Sequence, residues 1–190
     1  IVLTIEDWSY IGMHTSDACE EEMEEEVPAC PSDLFFSEYG EGGGFNKYVE
    51  IYNGTGATVD LSNYEIQRVS GGGSFPEATI GLSGMLADGE TAIVRSNNGG
   101  IDGTISGAGA INIASGSISH NGDDAYALVK IDQGIIDLVG DEGEDPGTGW
   151  AVAGINNATV DAVLVRKSSV LGGNTDWDAS RGTTTEDSEW

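Results

Sequence analysis

Short apolar runs rich in β-branched and aromatic residues recur along this chain at positions 47–52, 91–95, 125–131, 135–139 and 162–166. Each has the length of a strand. Within the first, Tyr48, Glu50 and Tyr52 alternate with Val49 and Ile51, which predicts a half-buried strand. Between the runs stand Asn53-Gly54, Asp88-Gly89, Asn121-Gly122 and Gln133-Gly134, pairs that tolerate the positive φ of tight turns. Glycine tracts at 42–44, 71–73 and 99–100 read as loops, and none is followed by the Lys-Ser or Lys-Thr pair of a phosphate cradle. The pattern predicts an all-β sandwich or barrel.

One segment has helical character. Asp17 and Glu20 are spaced as a capping box, and Cys19, Met23 and Val27 recur every four residues. The six glutamates between positions 20 and 26 repel one another at that spacing, however. A straight helix from Cys19 to Cys30 would also hold the sulfurs roughly 16 Å apart, beyond bridging reach. With Pro28 turning the chain back, 13–32 reads as an acidic linker closed by a Cys19–Cys30 disulfide, the alternative being two reduced thiols. Closing so small a ring restricts the unfolded chain by about 3 kcal/mol, and a cysteine pair fits an oxidising, extracellular compartment.

The chain has 190 residues, enough for one domain with an appendage, and 33 Asp and Glu against seven Lys and Arg give a net charge of -26. That field repels phosphate backbones and anionic headgroups, so nucleic acid and membrane surfaces are not expected partners. No run of 18 apolar residues is present to insert into a bilayer. Chemistry is sparse: two histidines, His14 and His120, read as ordinary surface residues, and HExxH, GxSxG and P-loop patterns are absent. No catalytic residues are assigned and an enzyme is not expected.

Calcium is the one cofactor the carboxylates could take. Asp123-Asp124 and the run Asp141, Glu142, Gly143, Glu144, Asp145 offer clustered oxygens, although the spacing is not that of an EF-hand loop and solvated loop carboxylates are the competing explanation. The triplet Asp176, Trp177, Asp178 reads as a core aromatic between two exposed carboxylates. Asn53-Gly54-Thr55 and Asn157-Ala158-Thr159 match the glycosylation sequon.

The segments 33–39, 46–56 and 59–64 closely resemble the opening strands of the lamin tail domain as found in bacterial secreted proteins. Further similar stretches follow in order at 86–90, 121–125, 145–150 and 174–178, so that the resemblance covers 33–190. It implies an immunoglobulin-like β-sandwich without catalytic residues, used as an accessory or repeated module in surface proteins and beside secreted nucleases and phosphatases. Members usually continue past a stretch like 183–190 with one more strand, which is missing here. The first twelve residues look like that strand placed in front.

The expected organisation is therefore an N-terminal extension strand (1–12), the acidic linker (13–32) and a lamin-tail-like sandwich (33–190). Two arrangements satisfy it. The strand folds into its own sandwich, which a linker of about twenty residues can reach at about 3.3 Å per residue. Otherwise Ile1, Leu3, Ile5, Trp8 and Ile11 form an inter-subunit strand that completes an identical copy, head to tail, in an open filament. The second arrangement, or a tandem array in the same register, gives the leading expectation, an extracellular structural subunit built from identical copies. The first predicts a secreted accessory or adhesion domain, calcium-dependent if the acidic loops bind the ion.

Overall fold

A computed structural model describes the backbone of residues 2–4 and residues 30–98 and 101–190 in full. Its strands are β1 (Val2–Thr4), β2 (Phe35–Glu41), β3 (Lys47–Tyr52), β4 (Val59–Asp60), β5 (Tyr64–Val69), β6 (Ala78–Gly81), β7 (Met85–Leu86), β8 (Thr91–Ser96), β9 (Ile111–Ser115), β10 (Ala125–Lys130), β11 (Gly134–Val139) and β12 (Ala162–Val165). Among the described residues, two helices of five residues each, α1 (Gly103–Gly107) and α2 (Trp177–Arg181), punctuate them.

The strands form a six-stranded sheet in the order β1-β12-β2-β3-β8-β9 and a four-stranded sheet in the order β11-β10-β5-β6, with β4 and β7 as a small third pair. Neighbours run antiparallel except β8 and β9, which are parallel. The two large sheets bury their facing sides against each other. Phe36, Tyr39, Val49, Ile51, Val94 and Leu164 from the first meet Tyr64, Ile66, Ile80, Tyr126 and Leu128 from the second. The protein is an immunoglobulin-like all-β sandwich.

The predicted strands fall where the short apolar runs placed them, as β3, β8, β10, β11 and β12. Three of the four expected turns agree: Gly89, Gly122 and Gly134 have φ of +77°, +110° and +98°, where a side chain would be strained, whereas neither Asn53 nor Gly54 has a positive φ. One expectation about β3 fails. All six of its residues are buried, not alternate ones, because the outer face of the sheet is covered as well. There Ile101 and Ile105 of the α1 segment pack on Tyr48, Ile93 and Val163. Periodicity reports one wet face only when nothing lies on it.

β1 lies at the edge of the six-stranded sheet of its own chain. Val2 stands opposite Leu164, Leu3 opposite Val163 and Thr4 opposite Ala162. Of the two arrangements open to the N-terminal strand, this is the intrachain one. Ile1, Ile5, Trp8 and Ile11, the helical candidate 17–27, His14 and Cys19 lie outside the described residues.

At the other end of the chain, residues 166–190 cap the bottom of the sandwich. Trp177 packs edge-on between Trp150 and Trp190, with ring centroids 6.1 and 6.3 Å apart. Asp176 caps α2 by accepting from the Ala179 backbone N–H, and Trp177 is buried while Asp176 and Asp178 are exposed.

Candidate functional site

Three places gather polar groups. The first is the turn between β9 and β10 with the loops beside it. The Arg68 guanidinium pairs with the buried Asp124 carboxylate, whose backbone carbonyl accepts from the Trp150 indole N–H at 3.1 Å. In its hydrogen-bonded orientation the Asn121 side-chain amide donates to both Asp123 and Asp124. Burial, then the neighbouring charges of Asp124 and Asp145, push the Asp123 carboxyl above its ordinary range.

The carboxylates of the 141–145 loop are largely engaged with backbone donors. Glu142 accepts from Phe75 N at 2.9 Å, Asp145 from Gly147 N at 2.8 Å, and Asp141 from Glu142 N at 2.9 Å. The loop's backbone also accepts from Gly72 through the Glu144 carbonyl. These residues therefore lace loop to loop. Among the described residues, no three His, Cys, Asp or Glu side chains stand together as a set able to hold a metal. The six carboxylates expected as calcium ligands, Asp123, Asp124, Asp141, Glu142, Glu144 and Asp145, are not gathered into one cage.

The second place is a carboxyl pair buried on the outer face of the six-stranded sheet. Glu38 and Glu50 are cross-strand partners in the β2–β3 register, 2% and 0% exposed. Tyr48 donates to Glu38 at 2.8 Å and Ser37 donates to Glu50 at 2.7 Å. Desolvation first, and the adjacent Glu50 second, raise the Glu38 carboxyl to about 8.

The third is a histidine expected at the surface that the structure buries completely. His120 stacks on Tyr39 with centroids 4.5 Å apart, and its Nε2 donates to the Gly40 carbonyl at 2.8 Å. Nδ1 must then accept, and the Tyr126 hydroxyl donates to it at 2.9 Å. Burial pulls the imidazole down to about 3, so it is neutral. Gly40 is required here because the Tyr48 ring occupies the space a Cβ would take.

The sequons separate by burial. Asn53 is wholly buried and its Nδ2 donates to the carbonyls of Ala57 and Leu86 at 2.8 and 2.9 Å. In the folded protein that nitrogen has no room for a glycan, which corrects the expectation for Asn53. Asn157 is exposed in a turn, while Thr159 of its sequon is buried and bonds the Gly122 carbonyl. Cys30 is exposed, and the bond expected to Cys19 ends on a residue outside those described.

The sequence profile of the Lamin Tail Domain matches residues 28–143, well over half of the chain. The chain belongs to the lamin tail domain family. No curated protein matches it significantly. The matched span contains both sheets but for β1 and β12, so the edge pair and the tryptophan cap of this lamin tail domain lie outside what the profile describes. The family is a non-catalytic, immunoglobulin-like one, consistent with His120 and buried carboxylates that are committed to packing.

All seven cations of this lamin tail domain have internal partners. Lys47 pairs with Glu41, Lys130 with Asp33 at 2.7 Å and Arg181 with Asp178 at 2.5 Å. Arg95 donates to Asn112 and to the Ser96 carbonyl, and Lys167 to the carbonyls of Thr185 and Ser188. Arg68 and Arg166 hold Asp124 and Asp137. The surface is left anionic without relief.

The burial and partnering of Glu38, Glu50, His120 and Arg166 escaped the sequence reading. Only one signal was available for any of them: a glutamate at the outward position of a strand already flanked by tyrosines, a face that buried aromatics on both sides would predict to be covered.

Proposed function

We propose that this chain is a self-contained, non-enzymatic module of an extracellular or cell-surface protein, acting through its surfaces rather than through an active site. The observation that carries this reading is that β1 completes the edge of its own chain's sheet beside β12. A module closed in this way needs no neighbour to fold. Strong acidity and an even number of cysteines, two, support an extracellular, salt-rich setting. The role is that of an accessory or adhesive domain, alone or beside a secreted hydrolase. A head-to-tail filament is the second reading, favoured by the long connection that joins β1 to the rest of the fold.

The test is the state of the dilute protein. At about 1 μM in physiological salt, light scattering after size exclusion is expected to give the monomer mass with a single cooperative melt. Turnover of model phosphodiester, phosphomonoester and glycoside substrates is expected to stay at background. Obligate polymers at that concentration, visible by electron microscopy, would overturn the self-contained reading, and turnover that survives repurification would overturn the non-enzymatic one.

A further inference from the structure

We propose that β12 is an exchange edge, on which the β1 strand of a second copy of this chain can replace the chain's own. The inference rests on the module reading above and names its partner. Three relations carry it. Among the described residues, β1 is held through the register pairs Val2 with Leu164, Leu3 with Val163 and Thr4 with Ala162. It sits at the sheet's edge, so it can leave without parting two other strands. Residues 5–29 separate it from Cys30, a connection of 25 residues.

The reach is ample. At about 3.3 Å per residue that connection spans up to roughly 80 Å. A domain of this size is roughly 40 Å across. Every contact that β1 makes on its own β12 is available unchanged on the β12 of a copy, so the exchanged and closed forms differ mainly in entropy and charge.

Concentration and charge decide between the two. A tether of this length holds its strand at an effective concentration of about a millimolar, so exchange competes once protein reaches that range in solution or by crowding on a surface. Against this stands a net charge of -26 on each copy, with all seven cations already engaged. Raising salt from about 0.1 to about 1 M shortens the screening length from about 10 to about 3 Å. Exchange is therefore expected to rise with ionic strength, the opposite of an association driven by ion pairs.

The experiment uses the full chain carrying Leu3→Cys and Val163→Cys, prepared separately in ¹⁴N and ¹⁵N forms and mixed in equal amounts before oxidation. Peptide mapping reads whether the 3–163 link joins one isotope or two. The expected result is a hybrid fraction near one quarter of all links at about 1 mM protein in about 1 M NaCl, about half of the strands being exchanged and half of those joining two isotopes, falling below a tenth at about 1 μM in about 0.05 M NaCl. A mass twice that of the monomer would mean reciprocal exchange and a larger one head-to-tail exchange; both support the proposal. Links confined to one isotope at high concentration and salt would overturn it while leaving the self-contained module intact. The neighbouring pair, Thr4→Cys with Ala162→Cys, guards against a link that fails through geometry. If neither pair links in a chain that melts cooperatively, β1 does not occupy this edge and the proposal falls.

Discussion

Arg166 and Asp137 form an ion pair from which water is excluded: Nη1 donates to Oδ2 at 2.6 Å and neither side chain has any exposed surface. Asp137 also accepts from the backbone N–H of Phe36 at 2.7 Å and of Asn174 at 2.8 Å, so one carboxylate ties β2, β11 and the C-terminal cap together. The other arm of Arg166 bonds Ser180, and the guanidinium lies 4.5 Å from the Trp190 ring centre.

Replacing Arg166 with Met removes the only cation facing this buried carboxylate among the described residues. Losing one partner of a buried pair typically costs about 3–5 kcal/mol. Urea denaturation of R166M is expected to show a loss of that size. Adding Asp137→Asn should recover part of it, since the uncompensated charge is then gone. The double variant falling as low as the sum of the single changes would argue against coupling.

His120 makes stability depend on acid. Its folded value of about 3 lies below the ordinary 6.5, so its contribution is intact above pH 6.5 and is lost as pH falls from 6.5 toward 3. Complete loss corresponds to about 4–5 kcal/mol. In H120Q this slope should vanish, and denaturation midpoints compared at pH 7.5 and 4.5 should show the wild-type chain losing its lead over the variant.

Glu38 acts in the opposite direction. Its folded value of about 8 lies above the ordinary 4.5, so stability is greatest below pH 4.5 and is lost as pH rises from 4.5 through 8. E38Q keeps the hydrogen-bonding shape without the ionisation. Melting curves are expected to place E38Q above the wild-type chain at pH 9, with the gap closing toward pH 5.

Uncompensated charge should make the fold salt-seeking. A rise in melting temperature of several degrees between about 0.05 and 1 M NaCl is expected as self-repulsion is screened. Calcium at matched ionic strength should add little, because loop carboxylates such as Glu142 and Asp145 already accept backbone hydrogen bonds. A large chelator-sensitive shift in scanning calorimetry would instead reveal a specific ion.

The sheets were legible because short β-branched apolar runs are a local signal: β3, β8, β10, β11 and β12 appear at the positions of those runs. The lamin tail resemblance added order to those strands. What stayed hidden was long-range. Nothing near His120 in sequence announces that Gly40, eighty positions earlier, and Tyr126 will enclose it. Nothing near Asn53 announces that its amide will be consumed by Leu86. Sequons and acidic runs are read from neighbours along the chain, whereas their fate is settled by neighbours across the sheets.

The engagement of every lysine and arginine has a consequence for the chain's survival among digestive enzymes. A protease of trypsin-like specificity must seat a cationic side chain in an acidic pocket. Here each of the seven candidate side chains is already clasped, from Arg166 sealed beneath the cap to Lys47 held by Glu41 between strands. At Arg166, which has no exposed surface, cleavage then has to wait for the fold to open, whereas the surface pair of Arg181 with Asp178 yields more readily. A surface poor in free cations is thus also one with few handles for such enzymes to grip.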